Sequence, residues 1–223
     1  MTWAPVNCGA TKVATDLSQY YKRNIDLTKE EIADITAQCG YYYQWGRNVP
    51  FQFGIRYQAV QGIKPTYAEA CRNEGSLANR YAIYLTDVGF WFTDYNNPLS
   101  PLLAKKIWPR IADPCPAGWR IPTEQESTLL ADKLKNAQCT NYVITLDNFS
   151  IPIAGHSGTD EYLLTFKMGE NGCYWTSYYE PGEKSIQSNR YLKLYTTLNN
   201  ISVGTGLYNV SSCNIRCVLE NHP

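Results

Sequence analysis

Apolar and polar positions along this chain change over in short runs, and three of those runs open on the same helix-start signature. Thr28 with Glu31, Thr66 with Glu69 and Thr123 with Glu126 each set an acid three positions after a threonine. In that spacing the hydroxyl accepts from a free amide of the first turn while the carboxylate returns to the threonine amide. The first signature predicts a short helix through Ile32, Ile35 and Thr36, and the second leads toward Cys71. The third is the clearest, because Pro122 fixes the entry and Leu129, Leu130, Leu134 and Ala137 continue as one apolar face. Strand-forming runs stand at 81–85 and 90–93 around Gly89, at 149–153 ended by Gly155, and at 162–166, 172–177, 191–195 and 214–219. In Tyr191-Leu192-Lys193-Leu194-Tyr195 the alternation puts the leucines on the core face and predicts Tyr191 and Tyr195 outward. The connection 95–109 carries no element of its own, and long connections of that kind often carry function. The pattern is α+β with much irregular chain.

Composition sharpens this picture. The chain has 223 residues, 44% of them hydrophobic, enough for a sizeable core in one large domain or two small ones. With neither an internal repeat nor a low-complexity linker, residues 1–223 are expected to form a single domain. Lys+Arg and Asp+Glu both number 20, so the formal charge is zero. A nucleic-acid partner would favour a basic stripe, and none is present. No apolar run reaches the length of a membrane span, so this segment is not expected to insert into a bilayer. Met1-Thr2-Trp3-Ala4-Pro5 enters structure without a secretory leader, which reads as an excision from a larger surface protein. Tyr at 18 and Trp at 6 exceed the usual share, and both supply apolar area with a polar handle suited to wet binding surfaces as well as to cores.

Eight cysteines stand at 8, 39, 71, 115, 139, 173, 213 and 217, with no CxxC pair. Zinc sites usually present ligands in close pairs; here only Cys213 and Cys217 are near each other, and the chain has two histidines. An even, scattered set points to disulfides in an oxidising compartment, with partial pairing and buried free thiols also open. Eight cysteines admit about 105 connectivities, and spacing does not choose among them.

Five motifs follow one another in a recognisable order. They are Tyr42-Tyr43-Gln44-Trp45-Gly46-Arg47; the string Asp113-Pro114-Cys115-Pro116-Ala117-Gly118-Trp119-Arg120-Ile121-Pro122-Thr123 with Glu126; Ile151-Pro152-Ile153-Ala154-Gly155; Gly172-Cys173-Tyr174-Trp175-Thr176-Ser177; and Asn214-Ile215-Arg216-Cys217-Val218. In this order and spacing the chain resembles the Fibrobacter succinogenes major paralogous domain, from Trp3 to Val218. That family is common in secreted and surface proteins of Bacteroidetes, including fimbria-associated adhesins. The resemblance implies a C-type-lectin-like domain with short twisted antiparallel sheets, two or three helices, long loops and termini that lie close together. It also implies a disulfide from the Pro-Cys-Pro turn to the last strand, Cys115 to Cys217. The physics of the long string fits a scaffold role. Pro114 and Pro116 stiffen the turn, Gly118 permits close backbone approach, Trp119 buries area, and Arg120 is expected to pair with an acid or with carbonyls.

Chemistry that this fold can carry is mostly absent. The calcium-dependent sugar site of lectins needs several oxygen ligands in set loops. Here Glu180-Pro181-Gly182 lacks the amide ligand and follows Trp175 in the wrong order, while Trp175 leads into Thr176-Ser177. Asp160 with Glu161, and Asp94 with Asn96 and Asn97, read as solvated turns. The formylglycine-generating oxidases have a related fold and two cysteines near the C-terminus, which invites comparison with Cys213 and Cys217, but neighbours that would lower a thiol pKa are lacking in sequence. His156, in Gly155-His156-Ser157-Gly158, reads as a turn residue, and Gly204-Thr205-Gly206 lacks the Lys and helix start of a phosphate loop. No catalysis, metal or cofactor is expected.

Binding remains. Residues 178–212 are rich in Tyr, Asn, Ser, Thr and Gly, a composition in which rigid aromatics anchor and small polar groups adapt. The expected ligand-binding residues are Tyr178, Tyr179, Glu180, Asn189, Tyr191, Tyr195, Thr197, Asn199, Asn200, Tyr208 and Asn209. The expectation is an extracellular or cell-surface recognition domain, an adhesin or receptor-binding module. Its ligand would be a protein or glycan on a host or bacterial surface. A variable protein diversified by a retroelement, an oxidase of the formylglycine-generating type and a structural fimbrial or envelope module are the alternatives.

Overall fold

A computed structural model gives the architecture and describes residues 1–21, 27–55, 57, 59–60, 81–82, 107–156, 168–179, 189–207 and 211–220. Two α-helices stand where the capping signatures predict them: α1 spans Lys29–Cys39 and α2 spans Glu124–Leu134. At both starts the threonine Oγ accepts from the amide of the acid at 3.2 Å, and the acid carboxylate accepts from the threonine amide at 2.8 Å. α1 ends at Gly40, φ 74°, where a side chain would strike the Cys8 carbonyl. The remaining signature, Thr66 with Glu69, lies outside the described residues, as do the strand runs 90–93 and 162–166 and the loop 95–106.

The buried stripe of α2 is Ser127, Leu130, Ala131 and Leu134, a helical spacing of three, four and seven. Leu129 falls off that stripe and is 50% exposed, which corrects its assignment to the apolar face. α2 packs on one side of a three-stranded sheet, with Leu130 and Leu134 meeting Leu192, Leu194 and Ile201 in one core cluster. A second cluster gathers Ile35 and Cys39 of α1 with Tyr42, Phe51, Phe53 and Met168.

All strand pairs among the described residues are antiparallel except β2 (Ala59–Val60) with β3 (Tyr81–Ala82). The main sheet is β8 (Asn171–Tyr179), β9 (Asn189–Tyr195) and β10 (Ser202–Leu207), with β9 in the middle. Beside α2 a meander runs through β5 (Gln138–Thr140), β6 (Val143–Leu146) and β7 (Phe149–Pro152). Its first two strands lie outside the predicted runs. Their turn is Asn141-Tyr142, with φ of 51° and 63°, the two-residue hairpin loop whose twist matches the strands. β1 (Tyr43–Gln44) pairs with β11 (Ser212–Cys213), and β4 (Trp119–Arg120) pairs with β12 (Val218–Leu219). Of the predicted run 214–219 only Val218–Leu219 is a strand; Asn214 makes an isolated bridge to Tyr174, and 215–217 are irregular. The fold is α+β, and the described residues form two α-helices and small, mostly antiparallel sheets.

The segment 211–218, which spans β11, this irregular stretch and the start of β12, is the longest wholly buried run of the described residues. The chain start lies against it: Trp3 bridges Val218, the Ala4 amide donates to Cys217 O at 2.9 Å, and the Cys8 amide donates to Ile215 O at 2.8 Å. Cys115 and Cys217, 102 residues apart, form the disulfide implied by the resemblance, with an S–S separation of 2.13 Å. Closing a loop of that length is worth about 4–5 kcal/mol in the chain-entropy account. Arg216, 2% exposed, donates from Nε to Asn7 Oδ1, from Nη1 to Ala4 O and Pro5 O, and from Nη2 to Ser150 O, at 2.7–3.0 Å, with its guanidinium over the Phe149 ring. Burial lowers its pKa to about 10, which leaves it a cation at neutrality.

The tyrosine and tryptophan excess is partly core material. Trp45 Nε1 donates to Thr176 O, Trp175 Nε1 to Tyr43 O, Tyr42 Oη to Ala154 O and Tyr174 Oη to Pro152 O, all buried. Within the Pro-Cys-Pro string, Arg120 forks onto both Glu126 carboxylate oxygens at 2.7 and 2.8 Å, as expected of a pairing with an acid. Trp119 is half-buried, and Gly118 has φ +80° with open space where a side chain would stand. Positive φ, not close approach, is what that glycine serves.

Removing the Arg216 side chain leaves several buried oxygens without a donor, each worth about 1–3 kcal/mol when left unmade. Arg216→Ala is expected to cost about 3–5 kcal/mol in urea denaturation, with Arg216→Lys recovering only part because an ammonium cannot fork to four acceptors. A loss below about 1 kcal/mol would show that water replaces the guanidinium.

Candidate functional site

The candidate binding residues divide between two ends of the β8–β9 ladder. At one end Tyr179 pairs with Asn189, and Tyr178 bridges Ile107. At the other end Asn171 pairs with Tyr195, and Thr197, Asn199 and Asn200 follow in the exposed 3-10 turn after β9. A seven-residue strand separates the ends by about 20 Å. Glu180, Tyr208 and Asn209 lie outside the described residues.

Tyr191 belongs to neither end. Leu192 and Leu194 do face the core, so the alternation predicts the sides correctly. Yet Tyr191 is 6% exposed, its ring set edge-on to Trp175 at 6.1 Å, with Lys193 Nζ 5.1 Å from its centroid. The outward placement expected for it is overturned because the β8–β9 sheet is covered on both faces. α2 packs on one, while on the other Trp175 reaches Tyr43 and Cys173 lies beside Cys213. Tyr195 on the same strand stays half-buried.

The Tyr178 end adjoins a cleft of about 410 Å³. Ile107, Trp108, Arg110, Ile121, Ser177 and Glu220 line it. Its wall forms where the end of the long 95–109 connection docks on β8: the Trp108 amide donates to Ser177 O at 2.7 Å. Trp108 is buried against Trp45 at 5.4 Å and donates from Nε1 to Ala112 O, which fixes the floor. Ile107 at the mouth is 50% exposed, and Ile111 in the next turn is exposed as well. Ile121 and Ser177 belong to motifs quoted from the sequence and Ile107 and Trp108 to the flagged 95–109 connection, while Arg110 and Glu220 carry no motif of their own.

The charges of the cleft are satisfied within the molecule. Arg110 donates to Asp113 at 3.1 Å, to Trp119 O at 2.9 Å and to Glu220 at 2.7 Å. Asp113 accepts from the amides of Cys115 and Ile121, so it holds the Pro-Cys-Pro turn. Burial pushes its carboxyl above the ordinary value, and those amide bonds and Arg110 only partly offset it. Glu126 goes the other way, lowered first by the hydrogen bonds from Arg120. With each guanidinium already engaged, the cleft suits an apolar and hydrogen-bonding ligand better than a free polyanion. A larger groove of about 520 Å³ lies between Trp3, Leu129 and Phe149 and contains none of the candidate residues.

Cys217 is joined to Cys115, so Cys213 has no partner there for the paired-cysteine chemistry weighed from sequence. Cys8, Cys39, Cys139, Cys173 and Cys213 are free thiols, and Cys71 lies outside the described residues. Among the described residues no group of three or more His, Cys, Asp and Glu side chains is arranged to hold a metal ion. No described helix is long and apolar enough to cross a membrane. No protein family, curated protein or solved structure matches this chain.

A carboxyl whose folded pKa is depressed stabilises above its unfolded value and loses that contribution as pH falls through the folded one. Glu126→Gln is therefore expected to cost about 1 kcal/mol near neutrality, a modest sum because solvent reaches the pair. The gap to the parent chain should narrow from neutrality into acid, as pH falls below the ordinary carboxylate range. Denaturant titrations near neutrality and in acid check this, and a gap that widens in acid would contradict it.

Proposed function

We propose that this chain is a C-type-lectin-like recognition domain of an extracytoplasmic surface protein. It binds a short segment of a glycan or protein at the cleft beside Tyr178. The observation that carries the reading is the adjunction of that cleft to the Tyr178, Tyr179 and Asn189 end of the β8–β9 ladder, on a frame closed by the Cys115–Cys217 disulfide. A disulfide of this kind supports an oxidising compartment. Ligand sites are typically concave, mainly apolar and fitted with a few convergent polar groups. Ile107, Trp108 and Ile121 supply the apolar walls, and Ser177, Arg110 and Glu220 the polar edge. Tyr195, Thr197, Asn199 and Asn200, at the far end, are outside this site.

A glycan array, together with capture from surface extracts, identifies the ligand, and variants then place it. Ile107→Asp and Tyr178→Ala are expected to weaken binding by about tenfold or more, the scale of a hot-spot contact. Asn199→Ala and Asn200→Ala should leave it unchanged. Equal binding by I107D and Y178A, or loss confined to the Asn199–Asn200 turn, would overturn the assignment of the site.

A further inference from the structure

An isolated parallel bridge joins Tyr174 of β8 to Asn214, the residue that follows β11. The Asn214 amide donates to Cys173 O at 3.1 Å, the Trp175 amide donates to Asn214 O at 3.0 Å, and Tyr174 faces Asn214 across the bridge. Cys173 and Cys213 each precede that pair by one residue. They are neighbours on adjacent strands and share the face opposite Tyr174, which lies in the core with Leu192 and Leu194. Adjacent strands are about 4.8 Å apart, inside the Cα–Cα range of about 4.4–6.8 Å that a disulfide accepts. Both sulfurs are free and buried, and each lies close enough to shift the other's pKa.

The surroundings of the two thiols are unequal. Lys193 is the register partner of Cys173 on β9. His156 hydrogen-bonds the Cys173 thiol, while its Nδ1 lies 3.0 Å from Asn171 Oδ1. Burial alone would raise Cys173, but the hydrogen bond from Cys213 and the neighbouring His156 and Lys193 outweigh it and bring the thiol below its ordinary value. Cys213 is raised, by burial first and then by Cys173. A thiolate beside a retained thiol is the division of labour of an attacking and a resolving cysteine.

We propose that Cys173 and Cys213 form a reactive dithiol that a hydroperoxide closes into a second intrachain disulfide, tying β8 to β11. The Cys173 thiolate attacks one peroxide oxygen, the O–O bond breaks, and the other oxygen leaves as water or an alcohol once protonated. The Cys213 sulfur then attacks the Cys173 sulfenic acid, the S–O bond breaks, and a second water leaves with the Cys213 proton. Two thiols and one hydroperoxide give one disulfide, one alcohol or water, and one water; two electrons pass from sulfur to oxygen. Cys173 is only 4% exposed, which favours a small oxidant over a bulky protein disulfide. The pair is independent of the ligand reading and stands or falls separately.

The test treats the whole chain with hydrogen peroxide, blocks remaining thiols with N-ethylmaleimide on unfolding, and maps the digest by mass without reduction. The expected product is the Cys173 peptide linked to the Cys213 peptide, lighter by two hydrogens, with Cys39 still alkylated. Cys173 carrying two or three oxygens while Cys213 is alkylated, or both alkylated, would overturn the proposal. In Cys213→Ser, dimedone should trap a sulfenic acid at Cys173, and its absence would overturn the order of attack. His156→Asn should slow bridging by about tenfold, the effect of losing about one unit of thiol acidity, and an unchanged rate would remove the imidazole from the mechanism.

Discussion

Arg216 is a buried cation whose described hydrogen bonds go to neutral oxygens, and much of the described architecture is arranged around feeding them to it. Its guanidinium collects acceptors from the chain start and from β7. Such a site is costly to desolvate and tolerable only when its donors are met. Asn7 extends the network: Oδ1 accepts from Arg216, while Nδ2 donates to Cys39 O and to the Tyr174 hydroxyl. One polar network thus joins α1, β8, the chain start and the terminal segment. The adjacent Cys115–Cys217 disulfide adds the Pro-Cys-Pro turn to the same junction.

That junction explains why the main sheet is enclosed on both faces. β11 is drawn inward between β1 and β8, with Tyr43 facing Cys213 and Asn214 bonding both Cys173 and Trp175. Side chains of β8 and β9 that point away from α2 therefore meet more protein, and Tyr191 with them. The described candidate residues other than Tyr191 lie at the strand ends. The end that adjoins a cleft is the one where the segment at Ile107 docks on β8.

Local chemistry was legible from residues; tertiary covering was not. Both capping boxes among the described residues are complete within four residues of chain, and both helices start where they predict. The side assignment of Leu192 and Leu194 rests on strand geometry alone and was equally legible. Tyr191 failed because alternation tells which face a side chain takes but not whether another strand covers that face. The β5–β6 hairpin escaped because its loop, Asn141-Tyr142, lacks the glycine that usually marks positive φ. Cys115–Cys217 came from resemblance, since spacing could not choose it. Cys173 and Cys213 are 40 positions apart in sequence, and only the parallel bridge brings them together.

Native-state hydrogen exchange tests the junction most directly. If the terminal segment and its buried cation hold the frame, the amides of Ala4, Cys8, Asn214 and Trp175 open only with global unfolding, and their protection equals that of the β8–β9 ladder. Rapid exchange at Ala4 and Cys8 while the ladder stays protected would contradict it, and would make the chain start an appendage on a core that stands without it.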